Sequence, residues 1–317
     1  MSRAVAERAL SFWGLEGCVP ELVAQRENRV YRVAGPDNVT YALRLHRPGY
    51  RSDAELSSEL AWLAALHEGG LPVPLPVALT SGALLHRLDG MPVSLLSWLS
   101  GIPMGESGRG LDIADRPAAF RAVGNAMAHL HRISDEWQRP AGFERCNWDF
   151  DGLLGREPLW GRFWENPQLS APQRDLVVAA RDKARGHLKS VEQKLDFGLI
   201  HADLVRENVL FCGDTPQLID FDDGGFGFRL FDVATTLNKN RKEPDYPALQ
   251  AAFVEGYRQV RPLDMAELSF FMALRAFTYL GWIMTRMDEP GAPVRCTRFI
   301  ENAVELSHDY LAPTEAR

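Results

Sequence analysis

The stretch LIHADLVRENVLF, residues 199–211, sets a dense group of polar residues between two apolar pairs. Its polar positions follow the pattern H-x-D-x4-N, formed by His201, Asp203 and Asn208. The Leu-Ile and Leu-Phe pairs that flank them are typical of buried strands. Taken alone, this pattern is more often a structural loop, so a functional interpretation depends on the segments around it.

A second strand-like segment, QLIDFDD at residues 217–223, begins nine residues after Asn208 and leads into Asp220. The intervening CGDTP is turn chemistry, so the two segments form a predicted β-hairpin. The hairpin would put the loop before its first strand and the acids after its second strand at the same end. Asp203, Asn208 and Asp220 are therefore expected to converge. Two carboxylates and an amide oxygen are hard ligands that suit Mg²⁺.

The composition is that of an ordinary globular protein, with 317 residues, 46% of them hydrophobic and 24% charged. This length predicts two lobes around a shared cleft. The net charge of −7 argues against a nucleic-acid partner, because nucleic-acid-binding proteins usually carry a basic excess. The four cysteines form no C-x-x-C pair, which disfavours a zinc site and a disulfide framework.

The N-terminal residues lack the continuous apolar core of a signal peptide. The longest apolar region, residues 268–284, is interrupted by Arg275 and Gly281 and falls short of an uninterrupted membrane span. We therefore expect a core helix there and a cytoplasmic protein without a membrane partner. No sequence feature specifies an oligomeric state.

The first hundred residues are predicted to be rich in strands. NRVYRV (28–33) and TYALRLH (40–46), separated by turn residues, form a predicted antiparallel hairpin. Residues 52–70 have an N-cap, helical periodicity and a terminal glycine, which predict a helix. Residues 71–101 suggest two further short strands. The Gly- and Asp-rich run at 101–115 is then a linker.

Beyond the linker the patterns become helical. The expected fold class is α+β, with a small antiparallel-sheet N-terminal lobe containing one main helix and a larger, mostly helical C-terminal lobe. The predicted units are 1–100, the linker 101–115, and 116–317; the family resemblance described next implies that the first binds a nucleotide and that the last holds the catalytic loop and the acceptor site. Predicted helices of the larger lobe cover residues 116–134, 170–194, 246–260, 264–285 and 296–311.

The loop and hairpin resemble the catalytic loop and metal-binding segment of the protein-kinase-like fold. The branch is that of aminoglycoside phosphotransferases and choline and homoserine kinases, near the bacterial stress-response kinases. Eukaryotic-type kinases carry H-R-D-x4-N followed by D-F-G, whereas this chain carries H-A-D-x4-N followed by D-F-D. The branch usually has H-G-D, so Ala202 is a departure that should be tolerated. The resemblance implies that Asp203 accepts or orients the proton of the acceptor hydroxyl and that His201 orients the loop. It also implies that Asn208 and Asp220 hold Mg²⁺.

The resemblance extends to the smaller lobe. RENRVYRV resembles the first hairpin of the family, whose loop covers the nucleotide phosphates, but it is built around Glu27 and Asn28 instead of glycines. In the third strand the family has a lysine that grips the phosphates of ATP, and this chain has Arg44. Since the first lysine of the chain is Lys183, any phosphate-binding cation in this lobe must be an arginine. Glu59 matches the acid that pairs with that cation.

Two further matches lie downstream. LLSWLSG, residues 95–101, resembles the hinge whose backbone would hydrogen-bond adenine, which points to Trp98 and Leu99. Asp232 matches a structural acid of the larger lobe. The match runs in the expected order from about residue 25 to 240, and ordered spacing of this kind is more specific than any single motif.

Several residues are open to two interpretations. Asp222 and Asp223 either approach a second metal position or the acceptor, or they are solvated loop acids. His129 and His131 lie two apart on a predicted helix and point to different sides, which favours packing over a metal pair. Four aromatic residues could either cage a cationic acceptor or pack between helices; they are Trp148, Trp160, Phe163 and Trp164.

The leading hypothesis is an ATP- and Mg²⁺-dependent kinase that phosphorylates a hydroxyl of a small molecule, such as an amino alcohol, a homoserine-like amino acid or a sugar. One alternative keeps this chemistry and changes the acceptor to Ser or Thr of a protein, as in the bacterial stress-response kinases. Another is a nucleotide-binding pseudokinase, which Arg44 in place of lysine favours and the complete set of Asp203, Asn208 and Asp220 opposes.

Overall fold

The smaller lobe is built on one antiparallel sheet in the computed structural model, which describes residues 3–25 and 28–312. The spatial order of its strands is β1-β2-β3-β5-β4. The predicted hairpin is confirmed as β2 and β3, which pair without a register shift. The strands are β1 (Pro20–Gln25), β2 (Arg29–Ala34), β3 (Thr40–Leu45), β4 (His86–Leu88) and β5 (Met91–Ser97).

Two helices flank this sheet, where the sequence predicted one main helix. The predicted helix is α2 (Asp53–Glu68), whose first turn is closed by a capping box. The Ser52 hydroxyl accepts the Glu55 N–H at 3.0 Å, and the Glu55 carboxylate accepts the Ser52 N–H at 2.9 Å. The additional helix is the short α1 (Arg3–Leu10), which packs against the sheet and has a separate small core with it.

The larger lobe holds seven helices and two three-stranded sheets within the described residues. The helices are α3 (Arg116–Glu136), α4 (Phe150–Leu154), α5 (Ala171–Val191), α6 (Arg229–Asn238), α7 (Tyr246–Arg258), α8 (Leu268–Trp282) and α9 (Ala292–Leu311). The strands are β6 (Ile102–Pro103), β7 (Asn147–Trp148), β8 (Phe197–Ile200), β9 (Val209–Cys212), β10 (Thr215–Leu218) and β11 (Gly225–Phe228). One sheet has the order β10-β9-β6 and the other β7-β11-β8.

The sheets of the larger lobe frame the predicted catalytic loop. That loop lies between β8 and β9, and the predicted hairpin is confirmed as the antiparallel pair β9 and β10. The first residues of the predicted linker form β6, which pairs with β9, and the Met104 N–H donates to the carbonyl of Val209 at 2.8 Å. The chain that joins the lobes is therefore hydrogen-bonded beside the catalytic loop.

Helices α3 and α7 approach closely because each has a glycine at the crossing. A Cβ added to Gly124 would lie 2.1 Å from the carbonyl oxygen of Phe253, and one added to Gly256 would lie 1.9 Å from that of Arg121. This close approach brings His131 of α3 within 2.7 Å of the Tyr257 hydroxyl. His131 is thus a buried packing residue rather than half of a metal pair, as the sequence favoured.

The long apolar segment forms the core helix that the sequence predicted. By length and composition, Leu268–Arg286 could cross a membrane, but 78% of its most apolar window is buried inside the protein. Arg275 in its middle is fully buried. A charge in this position needs a specific partner, and that partner lies in the site described next.

Candidate active site

The turn at the start of the catalytic loop is held by Asp232. Its two carboxylate oxygens accept the N–H groups of His201, at 2.9 Å, and Ala202, at 2.8 Å. Ala202 has a φ of +64°, the left-handed region that glycine adopts more easily. Asp232 therefore fixes a backbone turn in which an alanine adopts a conformation that favours glycine.

Asp232 also contacts His131, a buried residue of helix α3. The His131 ring lies 3.0 Å from the Asp232 carboxylate and contacts Tyr257 through its other nitrogen. Burial lowers the pKa of His131 to about 4, so the ring is neutral at pH 7. Burial raises the pKa of Asp232, but the His131 hydrogen bond and the charges around it outweigh burial and hold the pKa below its ordinary value. The Asp232 carboxylate therefore remains ionised at neutral pH while it accepts the two N–H groups of the loop.

We expect Ala202→Gly to change the free energy of unfolding by less than about 0.5 kcal/mol. Relief of the left-handed conformation, about 1 kcal/mol, opposes the loss of one buried methyl group and the larger entropy of glycine in the unfolded chain. The matched control is Ala234→Gly in helix α6, which should cost about 1 kcal/mol or more. Urea unfolding of both variants measures the difference, and equal losses would contradict the strained turn.

Asp203 is held by two neighbours. Arg275 donates to one carboxylate oxygen at 2.5 Å, and the Asn208 amide donates to the other at 3.2 Å and to the Asp203 carbonyl at 2.9 Å. The Asp203 side chain is 25% exposed, so one side of it faces the cleft. Burial raises the pKa of Asp203, and Arg275 and Lys239 oppose this rise. The result is an oriented carboxylate with a raised proton affinity.

Asp220 lies two residues after the last residue of strand β10, in a left-handed conformation with a φ of +68°. The hairpin connects it to Asn208 through a hydrogen bond from the Ile219 N–H to the Asn208 carbonyl at 3.0 Å. Asp220 is solvent-exposed, although neighbouring protein groups partly dehydrate its carboxylate. This dehydration and the charge of Asp222 raise the pKa of Asp220 well above its ordinary value.

This pair suits a metal ion that brings other ligands with it. Among residues 3–25 and 28–312, no group of three or more His, Cys, Asp and Glu side chains is placed to hold a metal. The Asn208 amide nitrogen is occupied by Asp203, so its amide oxygen is the atom that remains for a metal. One carboxylate and one amide oxygen fit Mg²⁺, which keeps waters and takes phosphate oxygens as its remaining ligands.

Arg44 forms the predicted pair with Glu59 at 2.6 Å, and both side chains are buried. Its other terminal nitrogen contacts Asp222, which also accepts a hydrogen bond from the Asn28 amide. Asn28 and Arg44, two residues predicted to bind the nucleotide, thus both contact Asp222. Burial lowers the pKa of Arg44, but Asp222 and Glu59 outweigh burial and raise it. Glu27, the other residue of the predicted covering loop, lies outside the described residues.

Asp222 is therefore not a solvated loop acid. A lysine at position 44 could not replace this arrangement, because a guanidinium offers several donors in a planar fork whereas an ammonium is a point charge. Asp223 contacts Arg51 and the Trp160 indole N–H, both at 3.4 Å. His201 is fully buried, with its Nε2 at 2.9 Å from the Ile219 carbonyl oxygen and its ring against Phe221.

Arg145 connects the predicted metal-binding segment to helix α2 through hydrogen bonds and an ion pair. It donates to the carbonyl oxygens of Phe221 and Asp222, each at 2.8 Å, and to that of Gly224 at 2.6 Å. It also reaches the Glu59 carboxylate at 3.4 Å. Glu59 thus joins two arginines, one from each lobe. Arg145 had no motif around it in the sequence and was missed.

The predicted hinge has one backbone N–H without a backbone partner among the described residues. The Trp98 N–H donates to the Thr40 carbonyl at 3.0 Å and continues the sheet. Within the described part of the chain, the Leu99 N–H makes no backbone hydrogen bond. If Trp98 and Leu99 bind adenine as predicted, the Trp98 N–H is already used, and the backbone groups left for adenine are the Trp98 carbonyl and the Leu99 N–H.

The aromatic side chains between residues 143 and 169 pack within the larger lobe, which was the second of their two interpretations. Trp148 and Phe163 are almost fully buried, and they stack on Phe231 and Phe277 respectively. The faces of the two more exposed rings are covered by arginines of the chain itself. Arg275 lies 4.6 Å from the Trp160 ring, and Arg181 lies 3.7 Å from the Trp164 ring.

Three comparisons agree with this architecture. Residues 19–271 match the model of a family described as phosphotransferase enzymes. A homoserine kinase from Rhizobium johnstonii is 32% identical over 246 residues, which cover 74% of this chain and 69% of that protein. The microcompartment-associated aminopropanol kinase superposes with a TM-score of 0.84 at 29% identity and covers 98% of both chains. An amicoumacin kinase solved with AMP-PNP and Ca²⁺ shares the fold, with a TM-score of 0.76 at 20% identity over 96% of this chain and 93% of that one.

Proposed function

Since the chain belongs to the phosphotransferase enzyme family, we propose that it transfers the γ-phosphate of ATP to a hydroxyl of a small amino alcohol, hydroxy amino acid or sugar, in a Mg²⁺-dependent reaction. The chain is an ATP-dependent phosphotransferase that acts on hydroxyl groups of small molecules.

Asp203 is the proposed general base. It would accept the proton of the acceptor hydroxyl while the hydroxyl oxygen forms a bond to the γ-phosphorus and the bond from that phosphorus to the bridging oxygen of ADP breaks. Arg275 and Asn208 hold the two carboxylate oxygens, so the base is oriented before the acceptor arrives. Most of the rate enhancement would come from such positioning.

Asn208 and Asp220 are the proposed metal ligands. When bound, Mg²⁺ would neutralise charge on the nucleotide phosphates. Dehydration and the charge of Asp222 disfavour the ionised form of Asp220. A bound cation would stabilise that form. The hydrogen bonds of the Asn208 amide to Asp203 keep the metal ligand and the base in one unit.

Arg44, Asn28 and Glu59 are the proposed nucleotide-binding group, together with the Trp98 and Leu99 backbone. Arg44 is the only one of these side chains with a positive charge, and Glu59 fixes its position from inside the lobe. The observation that carries the proposal is that Asp203, Asn208 and Asp220 share one end of a hairpin that faces this arginine. A pseudokinase would have no chemical need for all of them.

The acceptor proposal draws on two relatives. One is named a homoserine kinase and the other an aminopropanol kinase, and both names describe small alcohols that carry an amino group. No feature of the described residues favours Ser or Thr of a protein as the acceptor.

The test is the transfer of ³²P from γ-labelled ATP with Mg²⁺ into a deproteinised metabolite extract and, separately, into protein. We expect label in a small molecule and none in protein. Label in protein alone would replace this proposal with the protein-kinase alternative. Label in neither fraction, with Mg²⁺-dependent nucleotide binding intact, would favour a pseudokinase.

A further inference from the structure

We propose that the acceptor carries a carboxylate, and that Lys239, with Arg298 beside it, binds this group next to Asp203. The inference deepens the proposed function and rests on it, because it takes Asp203 as the place where the hydroxyl reacts. It selects small hydroxy acids, including hydroxy amino acids, over amino alcohols and neutral sugars.

Two cations, Arg275 and Lys239, act on Asp203, and a third, Arg298, acts on Lys239. Arg275 comes from the middle of α8, Lys239 follows the last residue of α6, and Arg298 comes from α9. Lys239 is close enough to the other two cations and to Asp203 and Glu207 for their charges to shift its pKa. This part of the site is therefore basic, although the chain as a whole is acidic.

The nearby acids already have partners. Asp203 pairs with Arg275 at 2.5 Å, and the Glu207 carboxylate accepts the Ser107 N–H, also at 2.5 Å. In the described ranges, no carboxylate lies within 4.0 Å of the Lys239 ammonium. Lys239 therefore forms no ion pair with an acid among the described residues, although Asp203 and Glu207 are near enough to act on its charge.

Aromatic rings hold the Lys239 ammonium in place. It lies 4.2 Å from the centre of the Tyr279 ring and 5.2 Å from that of Phe299, and these two rings are stacked at 4.9 Å. The Tyr279 hydroxyl accepts a hydrogen bond from Arg275 at 2.9 Å. The lysine and the arginine that orients Asp203 are therefore fixed to one tyrosine.

Buried N–H groups in the same place also lack acceptors. Within residues 3–25 and 28–312, Nε and Nη1 of Arg275 and Nε of Arg298 have no hydrogen-bond partner. Such groups are uncommon in folded proteins, because a buried donor without an acceptor costs free energy. Arg298 also lies against Gly108 of the segment that joins the lobes.

An anion fits this surface better than a cation. Near a protein surface an ammonium repels a second positive charge and attracts a negative one. Burial lowers the pKa of Lys239 to about 8, and an acid group bound to it would reverse part of that shift. A small molecule with a hydroxyl at Asp203 and an acid group at Lys239 satisfies both neighbours.

Matched pairs of acceptors test the inference, since each pair differs only by the carboxylate. The pairs are L-homoserine with 3-amino-1-propanol, L-threonine with 1-amino-2-propanol, and L-serine with ethanolamine. We expect the best acid to have a kcat/KM at least tenfold above that of its decarboxylated partner. If the amino alcohol is the better acceptor in every pair, the carboxylate site is wrong while the kinase function stands.

Lys239→Met is the matching variant, because methionine keeps contact with Tyr279 and Phe299 and loses the charge. We expect a 10- to 100-fold loss of kcat/KM for the best acid, mostly through KM, and less than a threefold change for the amino alcohol, in line with the loss of one hydrogen bond between charged groups. Lys239→Arg should restore part of the loss. The control is Lys242→Met, which removes an exposed lysine three residues away.

Equal losses for both members of a pair would give Lys239 a structural role and overturn the inference. Calorimetric titration of the same six compounds in the presence of Mg-ADP decides the matter if none is phosphorylated. Binding of an acid to the wild type and not to Lys239→Met would then support the carboxylate site although the proposed reaction failed. Absence of binding by all three acids would overturn the site.

Discussion

Asp203→Asn is expected to slow turnover by about 10²- to 10⁴-fold, the range typical for loss of a general base. Asparagine keeps the shape of the side chain and an oxygen for Arg275, but it cannot accept the hydroxyl proton. Nucleotide binding should change little, because the predicted metal ligands are Asn208 and Asp220. Steady-state rates and calorimetric titration with Mg-ADP measure the two quantities separately.

Two controls keep this result interpretable. Asp214→Asn replaces an exposed acid in the turn of the same hairpin and should retain full activity. Thermal unfolding of Asp203→Asn checks that Arg275, which loses a charged partner, has not destabilised the fold. More than a tenth of the wild-type rate in a folded Asp203→Asn protein would remove Asp203 from the role of base.

Asp220→Asn should also slow turnover strongly, but for a different reason. The variant loses the charged metal ligand, so we expect turnover to slow by about 10²-fold or more and the effect of Mg²⁺ on ATP affinity to become much smaller. In the Asp203→Asn protein the effect of Mg²⁺ on ATP affinity should persist, which separates the two acids. Calorimetric titration of ATP with Mg²⁺ and with EDTA gives this comparison, and an unchanged Mg²⁺ effect in Asp220→Asn would contradict the assignment.

The same variant should have an altered pH dependence of stability. An aspartate in the unfolded chain has a pKa near 3.9, and dehydration, followed by the charge of Asp222, raises the pKa of Asp220 well above its ordinary value. The folded state therefore holds this proton more tightly, and the stability it contributes is lost as the pH rises from about 4 through the raised pKa. At neutral pH without metal, Asp220→Asn should be more stable than the wild type by up to about 1 kcal/mol, since the group is exposed and screened. A chemical unfolding series from pH 4 to 8 measures the difference, and a constant gap would contradict it.

The sequence predicted those parts of the site that depend on local chain geometry. Residues 199–223 contain a loop, a strand, a turn and a second strand, and the hairpin rule alone brings Asn208 and Asp220 to one end. Helix α2 was predicted because its capping box and its terminal glycine are local signals. The pairing of Arg44 with Glu59 came from the family resemblance, and the structure has the two side chains in contact at 2.6 Å.

Contacts between distant parts of the chain could not be predicted in this way. Arg275 was noted only as an interruption of an apolar segment, and its pairing with Asp203 spans 72 residues. Arg145 joins α2 to the metal-binding segment from a stretch without clear periodicity. Asp222 had two open interpretations, because its contact with Arg44 depends on how the two lobes pack. A charged residue inside an otherwise apolar helix is the signal that would have identified Arg275.

The shared contacts of Arg44 also limit how this chain can diverge. Arg44 binds Glu59 inside its own lobe and Asp222 across the cleft, so loss of Arg44 removes the ion pair of Asp222 and one of the two arginine partners of Glu59. The two lobes are thus linked through one side chain. Lysine at position 44, with a single ammonium in place of the planar guanidinium, should not bind both acids in the same way unless position 222 changes as well.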